Sequence, residues 1–376
     1  MKSLLPLIKA ISSGKQNLDI GDIDRHLFEY IIDSGLASYL NYSIIKTENI
    51  YHSILMSAEL TAKIITNTQI QAIQVITDAA AGKIGDITLL KGISLCQNYY
   101  PSPHFRIMSD IDILILDKDI SSLNEVLIKL GYKQTSEKPD DYYDAHHHDM
   151  PYYNKENNVW IEVHTHLFSN MTPVFNDKLF SLENIRENRL NMDSEKFGDK
   201  VKYICPELQL IYTCVHWAED YNAYKSGIQF TDIILLVKNK GNGLDWNKIH
   251  NWLDNTASAS SVYLALSYLH KSGLLELPDS RFKKITLKNK NMFFINRFLL
   301  YKIIDKYMIK GVRYGKVLNE KNIIIIWDTL LQPSPSTINL ISLPWNIIFP
   351  SNKKNRYHIK HIYNRVRNLY KRIMHE

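Results

Sequence analysis

The sequence has little cysteine: only Cys96, Cys205 and Cys214 occur in 376 residues. Three cysteines this far apart form no disulfide framework and do not have the paired spacing of a zinc-binding motif. Reduced thiols buried in a core are the ordinary state of such cysteines in a reducing compartment. The cysteine content therefore predicts a cytoplasmic protein whose fold does not depend on disulfide bonds.

Long apolar runs are also absent. No uninterrupted stretch reaches the roughly 18 apolar residues that a membrane-spanning helix needs. The opening residues, MKSLLPLIKA, contain one early lysine and a brief apolar run, and no small-residue cleavage site follows. We therefore expect no secretory signal and no transmembrane segment. This expectation leaves open a peripheral contact between a cytoplasmic protein and a membrane.

Acidic residues are scarce in the last quarter of the chain. Residues 281–376 contain 20 Lys and Arg against 4 Asp and Glu, whereas the preceding part contains 25 basic and 35 acidic residues. Within the basic region, residues 356–374 have the apolar spacing of an amphipathic helix. Three interpretations of the segment 353–376 remain open: docking on the acidic part of the same chain, binding to an anionic membrane surface, or binding to nucleic acid.

Two aspartates separated by one residue lie in the stretch on which the functional argument depends, residues 87–116. The stretch has the pattern of a strand, a tight turn at Gly92, a short helix, a loop and a second strand. Asp110 and Asp112 occur on the second strand, where side chains at i and i+2 project from the same face. Because two close carboxylates repel each other unless a cation lies between them, the spacing predicts a divalent metal site.

A third carboxylate follows on the strand 159–164, whose sequence is VWIEVH. Alternation places Glu162 and His164 on the face opposite the apolar residues of that strand. Two metal ions carry four positive charges, which three carboxylates and substrate phosphates can balance. We therefore expect Glu162 to complete a second metal site or to act as a base, with a solvated edge-strand glutamate as the alternative.

Five short motifs in this order resemble the uncharacterised nucleotidyltransferase family, which belongs to the polymerase-beta-like nucleotidyltransferase superfamily. The motifs are Lys91-Gly92, Tyr100-Pro101, Arg106, Asp110-Ile111-Asp112 and Glu162-Val163-His164. The resemblance implies transfer of a nucleoside monophosphate from a nucleoside triphosphate such as ATP. It also implies two Mg²⁺ ions, with Mn²⁺ as the alternative ion. The turn Gly92-Ile93-Ser94 and the long loop after it depart from the usual superfamily pattern.

Further residues are candidates for contacts with nucleotide or substrate. A glycine that opens a helix lets the backbone approach a phosphate, so we expect Lys91, Gly92, Ser94 and Arg106 to bind the nucleotide. The resemblance implies substrate contacts for His148, His164 and Asp232. The alternatives are a structural role for His164 and a helix N-cap for Asp232. The tract His146–His148 is a weaker candidate for metal binding, because alternation separates its three side chains.

The predicted fold class is α+β, with a small mixed β-sheet, flanking helices, and helical regions at both ends. The expected domains are an N-terminal helical region (1–83), a nucleotidyltransferase core (84–170), a helical domain (171–280) and a basic C-terminal helical region (281–376). The acceptor remains open among a small molecule, a glycan precursor, a peptide and a tRNA. The alternative function is a non-catalytic binding module that uses residues 353–376 on nucleic acid or an anionic membrane surface.

Overall fold

The computed structural model describes most of the chain up to residue 277 and a short segment after it. The described residues are 3–14, 18–19, 23–44, 51–135, 143, 148–169, 177–219, 227–240, 243–254, 256, 258–277, 301 and 304–310. The predictions for His146, for His147 and for the segment 353–376 lie outside these residues.

Helices account for most of the described residues. They are α1 (Leu5–Ser13), α2 (Arg25–Asp33), α3 (Ala37–Ser43), α4 (His52–Ala79), α5 (Lys91–Tyr99), α6 (Ile120–Lys129), α7 (Leu182–Glu187), α8 (Ser194–Phe197), α9 (Pro206–Glu219), α10 (Ile228–Lys240), α11 (Trp246–Leu253) and α12 (Ser258–Lys271). A π-helical segment, Ile304–Ile309, follows them. Within the described part of the chain, none of the helices combines the length and the apolar character needed to cross a membrane.

Seven strands form one mixed sheet, in the order β3-β4-β5-β2-β1-β7-β6. They are β1 (Ile87–Leu89), β2 (Ile111–Leu114), β3 (Lys133–Gln134), β4 (Tyr152–Asn154), β5 (Val159–His164), β6 (Arg189–Asn191) and β7 (Val201–Ile204). The central pairs β2–β5 and β1–β7 are parallel, and β1 pairs with β2 in the antiparallel sense. The mixed sheet with flanking helices confirms the predicted α+β class.

The two faces of the central strands differ as the alternation predicts. Ile111 and Ile113 of β2 lie in a core with Ile161 of β5, which the C-terminal half of α4 and helix α6 cover. Each of these side chains contributes roughly 1.5–3 kcal/mol through burial. The opposite face presents Asp112 and Glu162. The apolar face therefore fixes the orientation of the strands, and this orientation determines where the carboxylates lie.

Helices α9 to α12 form a second core together with α1, α2 and α3. The three- and four-residue spacing of apolar residues in α9 predicts a stripe along one face, and every member of it is buried: Leu208, Ile211, Tyr212, Val215 and Ala218. Leu114, which lies two residues after Asp112 and therefore on the same face of β2, belongs to this second core. The carboxylate face of the sheet is therefore the face that the helical bundle covers.

Residues 177–204 have more structure than the sequence suggests. The polar stretch 171–200 predicts a linker or a hairpin, but β6 and β7 both join the sheet, and β7 pairs with β1 next to the centre. The antiparallel pairing of β6 with β7 agrees with the hairpin alternative. Val201 and Ile204, which follow the polar stretch, are fully buried in β7. The sheet therefore continues past residue 171, where the sequence predicted the helical domain to begin.

Candidate active site

Three side chains from adjacent strands converge at one point on the sheet. Asp112 of β2 lies directly beside Glu162 of β5 in the parallel register, and His164 lies one pleat further along β5. Their ligand atoms all lie within 4.8 Å of one another. Asp112 and His164 are buried, and Glu162 is partly exposed. The alternation predicted for β5 places Glu162 and His164 on one face, as the structure shows.

Lys91 supplies the positive charge nearest to these carboxylates. Its Nζ donates to Asp112 Oδ1 at 2.7 Å and lies 3.9 Å from Glu162 Oε2. Lys91 is the first residue of α5 and has a φ of +42°, a conformation that costs a non-glycine residue free energy. The N–H of Leu90 donates to the carbonyl of Asp112 at 3.0 Å. The β1–α5 turn is therefore attached to the strand that carries the carboxylate.

His164 is the second donor to Asp112. Its Nε2 lies 2.7 Å from Asp112 Oδ1 and 3.7 Å from Glu162 Oε2. Burial opposes the ionisation of Asp112, but Lys91 and His164 hold the pKa of Asp112 well below its ordinary value. Burial has the same opposing effect on Glu162, and the interaction with His164 lowers its pKa. Both carboxylates are therefore ionised at neutral pH.

Asp110 lies just before β2 and is half-buried. Burial and the charges of Asp112 and Glu162 raise the pKa of Asp110 to about 6. The ionised carboxylates of Asp112 and Glu162, whose ligand atoms lie within 4.8 Å of each other, repel by roughly 3 kcal/mol at an effective dielectric constant near 20. Three carboxylates and one lysine leave an excess of negative charge, so the electrostatics of the site favour an added cation.

Helix α9 contributes two groups that were not among the predicted site residues. Tyr212 is 1% exposed, its hydroxyl makes no hydrogen bond within the described part of the chain, and it interacts electrostatically with Lys91 and Asp112. His216 follows one turn later, and its ring centroid lies 6.0 Å from that of Tyr212. Burial, with the nearby charge of Lys91, lowers the pKa of His216 to about 3. Because Tyr212 belongs to the apolar stripe of α9, its sequence position alone does not distinguish a site residue from a core residue.

Arg106 forms an ion pair with Asp232 of the helical bundle. Its Nε lies 3.1 Å from Asp232 Oδ1, and its Nη2 lies 3.2 Å from Asp232 Oδ2. Tyr100 also donates to Asp232 Oδ1, at 2.6 Å. Asp232 lies inside α10 and is 1% exposed, so the N-cap interpretation was wrong. The pair connects the loop before β2 to the helical bundle and is not among the contacts of the carboxylate cluster.

Gly92 and Ser94 lie in the first turn of α5, and both are buried. A Cβ on Gly92 would lie 2.7 Å from Cγ of Met108, so the close approach that requires this glycine is to a methionine side chain. The hydroxyl of Ser94 is fully buried and makes no hydrogen bond with any described residue. Both residues therefore face the protein interior from the first turn of α5.

His148 lies at the edge of the cluster. It forms a β-bridge with His164, and its Nε2 lies 3.9 Å from Glu162 Oε2. Its Nδ1 lies 2.8 Å from the carbonyl oxygen of Asp149. Burial lowers the pKa of His148, which favours a neutral ring. The structure thus brings His148 within reach of the site, although it is not one of the three converging ligands.

The donor set fits a divalent metal ion. Asp112 and Glu162 offer carboxylate oxygens, His164 offers an imidazole nitrogen, and these atoms converge without backbone movement. Carboxylates and imidazoles are the common protein ligands of divalent ions. The excess negative charge is a second, independent reason for a cation at this point.

Comparison with known proteins supports the same interpretation. No curated protein and no solved structure matches the chain. The family model described as "Uncharacterised nucleotidyltransferase" matches residues 24–272, which is well over half of the chain and includes every site residue described above. The chain therefore belongs to the uncharacterised nucleotidyltransferase family.

Proposed function

We propose that the protein is a metal-dependent nucleotidyltransferase that moves a nucleoside monophosphate from a nucleoside triphosphate to an acceptor. The observation that carries the proposal is the convergence of Asp112 and Glu162 with Asp110 nearby, beside the turn that starts α5. A helix N-terminus next to a carboxylate cluster suits a bound triphosphate, because its N–H groups and dipole favour anions. Membership of the family supports the same reaction class.

In the proposed reaction, a nucleophile on the acceptor, written here as a hydroxyl, attacks the α-phosphorus of the nucleotide. The new bond joins the acceptor oxygen to that phosphorus, the bond to the bridging oxygen breaks, and pyrophosphate leaves with its electron pair. Glu162, whose side chain is 21% exposed against 5% for Asp112, is the carboxylate nearer to solvent. It would complete the second metal site or take the acceptor's proton.

The carboxylates Asp110, Asp112 and Glu162 would hold the ions, with Mg²⁺ as the expected metal. Bound divalent ions supply neutralisation of the charge that develops on the phosphate oxygens. Lys91 would exchange its contact with Asp112 for one with a phosphate oxygen, since its long side chain is partly exposed. His148 would contact the substrate, and His164 would act beside the two carboxylates that it contacts. Arg106 and Asp232 would act as a pair that fixes the bundle over the sheet.

Nucleotide labelling in a lysate of the organism that produces the protein tests this proposal. The full chain is incubated with each α-³²P-labelled nucleoside triphosphate and Mg²⁺, and the labelled product is identified. We expect one labelled acceptor class with the wild-type protein and a loss of at least about 100-fold with Asp112→Asn, because the metal site is lost. Absence of label with every nucleotide, or full label with Asp112→Asn, would overturn the proposal.

A binding assay separates the enzyme from a non-catalytic binding module. An enzyme should gain thermal stability from a nucleoside triphosphate only in the presence of a divalent ion, and Asp112→Asn should remove this gain. A module that uses the basic C-terminal segment should respond to RNA or to anionic vesicles instead, and truncation of residues 353–376 should abolish that response. The second result without the first contradicts the proposed reaction.

A further inference from the structure

The imidazole of His164 lies inside the carboxylate cluster. Its Nε2 is the ring atom that faces the two carboxylates, at 2.7 Å from Asp112 Oδ1 and 3.7 Å from Glu162 Oε2. The ring is fully buried, so it cannot turn away into solvent. A cation held by Asp112 and Glu162 therefore meets a nitrogen donor as well as oxygen donors.

We infer that His164 is a direct ligand of one divalent ion, which it shares with Asp112 and Glu162, and that this ion is a first-row transition metal such as Mn²⁺. The inference rests on the proposed function, because the same carboxylates would hold the ions of nucleotidyl transfer, and it adds the identity of one ion. Mg²⁺ prefers oxygen ligands in near-ideal octahedral geometry. A mixed set of carboxylates and an imidazole is better suited to a transition-metal ion.

The excess of negative charge around the cluster is the independent observation that indicates a bound cation. Asp112 and Glu162 share the ammonium of Lys91, which lies 2.7 Å from a carboxylate oxygen of Asp112 and 3.9 Å from one of Glu162, and Asp110 interacts electrostatically with both carboxylates. This ammonium lies between the two carboxylates, where a cation is expected. A divalent ion that displaced it would bring a second positive charge, and the flexible side chain of Lys91 could move aside.

With Asp112 ionised, Nε2 of His164 donates to Asp112 Oδ1, because a carboxylate can only accept. Coordination through Nε2 requires this nitrogen to give up its proton and the ring to carry a proton on Nδ1 instead. The hydrogen bond to Asp112 is thereby exchanged for a bond to the ion.

The competing interpretation is that His164 only orients Asp112, with all metal bonds made by oxygen. Electron spin-echo spectroscopy of bound Mn²⁺ distinguishes the two, because a directly bonded ¹⁴N nucleus modulates the echo. The full-length protein is stripped of metal with a chelator, loaded with Mn²⁺ without nucleotide, and measured. We expect nitrogen modulation in the wild-type protein. Mn²⁺ that binds without such modulation, or Mn²⁺ that does not bind, would overturn the inference.

Two matched variants identify the nitrogen. His164→Asn should remove the modulation and weaken Mn²⁺ binding by about tenfold or more, while leaving the affinity for Mg²⁺ within about threefold. His148→Asn, the same change at the neighbouring histidine, should keep the modulation. Modulation that persists in His164→Asn, or that disappears in both variants, contradicts the assignment. His164→Gln replaces the first variant if unfolding curves show that the asparagine form does not fold.

This outcome is separable from that of the proposed function. Nitrogen-free Mn²⁺ in a protein that transfers nucleotide with Mg²⁺ would overturn the inference and leave the reaction standing. Nitrogen-coordinated Mn²⁺ in a protein that labels no acceptor with either ion would support the inference and overturn the proposed reaction.

Discussion

Arg106 and Asp232, which are 126 positions apart in the chain, form a buried ion pair between the loop before β2 and helix α10. Both side chains are largely hidden from solvent, at 15% and 1% exposure. Helix α10 packs against α9, whose Tyr212 and His216 lie beside the carboxylates. The Arg106–Asp232 pair therefore helps to hold the helical bundle in place over the site.

Asp232→Asn should lower the free energy of unfolding by about 3–5 kcal/mol, because it leaves the Arg106 guanidinium buried without a counter-charge. Chemical denaturation measures the change. Asp86→Asn is the matched control, since it breaks the more exposed pair with Arg189 and should cost less than about 1 kcal/mol. Equal losses of unfolding free energy in the two variants would contradict the expectation that burial makes the Arg106–Asp232 pair more stabilising than the Arg189–Asp86 pair.

Lys91→Met should strengthen divalent metal binding and weaken nucleotide binding. Removal of the ammonium leaves Asp112 and Glu162 without their nearest positive charge, so an added ion meets less competition. We expect a larger thermal stabilisation by Mn²⁺ than in the wild-type protein, together with a loss of triphosphate affinity. Lys83→Met, at an exposed lysine that bonds within its own turn, serves as the control. Weaker metal binding in Lys91→Met would contradict the prediction.

Gly92→Ala should destabilise the fold by about 1–3 kcal/mol, because the new methyl group would lie 2.7 Å from Met108 Cγ. Gly243→Ala introduces the same methyl group where no atom lies within 4 Å and should be nearly neutral. The double variant Gly92→Ala, Met108→Ala should show a favourable coupling energy in a double-mutant cycle. Strict additivity of the two changes would indicate that the clash with Met108 does not cause the loss of stability in Gly92→Ala.

His216 should make the protein less stable as the pH falls from 7 to 5. Its folded pKa of about 3 lies below the unfolded value near 6.5, so the unfolded chain binds the proton more readily in this window. The loss is at most about 2 kcal/mol at pH 5, because that pH lies about 1.5 units below the unfolded pKa and each unit contributes about 1.4 kcal/mol. The partial exposure of the side chain reduces it further. Asp110, whose pKa is raised to about 6, acts in the opposite direction. The measurement is therefore the difference in unfolding free energy between the wild-type protein and His216→Gln. A difference that does not change with pH would contradict the prediction.

The strands that carry the carboxylates were predictable from the sequence because each has its own local pattern. Alternation in VWIEVH places Glu162 and His164 on one face regardless of the rest of the fold. The direct contact of His164 with Asp112 was not predictable, since it depends on the parallel register of β2 and β5. Alternation gives the face of a side chain but not its neighbour on the next strand.

Contacts between distant segments account for what the sequence did not reveal. Tyr212 fits the apolar stripe of α9 whether it is a core residue or a site residue. Its position beside Lys91 therefore cannot be predicted from the sequence. Aspartate is a common residue at helix N-caps, so the sequence around Asp232 fits a cap. Only the contact with Arg106 shows that Asp232 forms an ion pair inside the protein. The short strand β7 lies within a polar stretch, and its pairing with β1 determines its place.

The position of β7 beside β1 has a consequence for synthesis of the chain. Strands β1 to β5 are complete once residue 164 has been made, but one edge of β1 stays unpaired until Val201–Ile204 emerges. An unpaired, apolar strand edge is a template for pairing with another chain. Nascent chains that stall between these two points should therefore self-associate, and chains that extend beyond Ile204 should not.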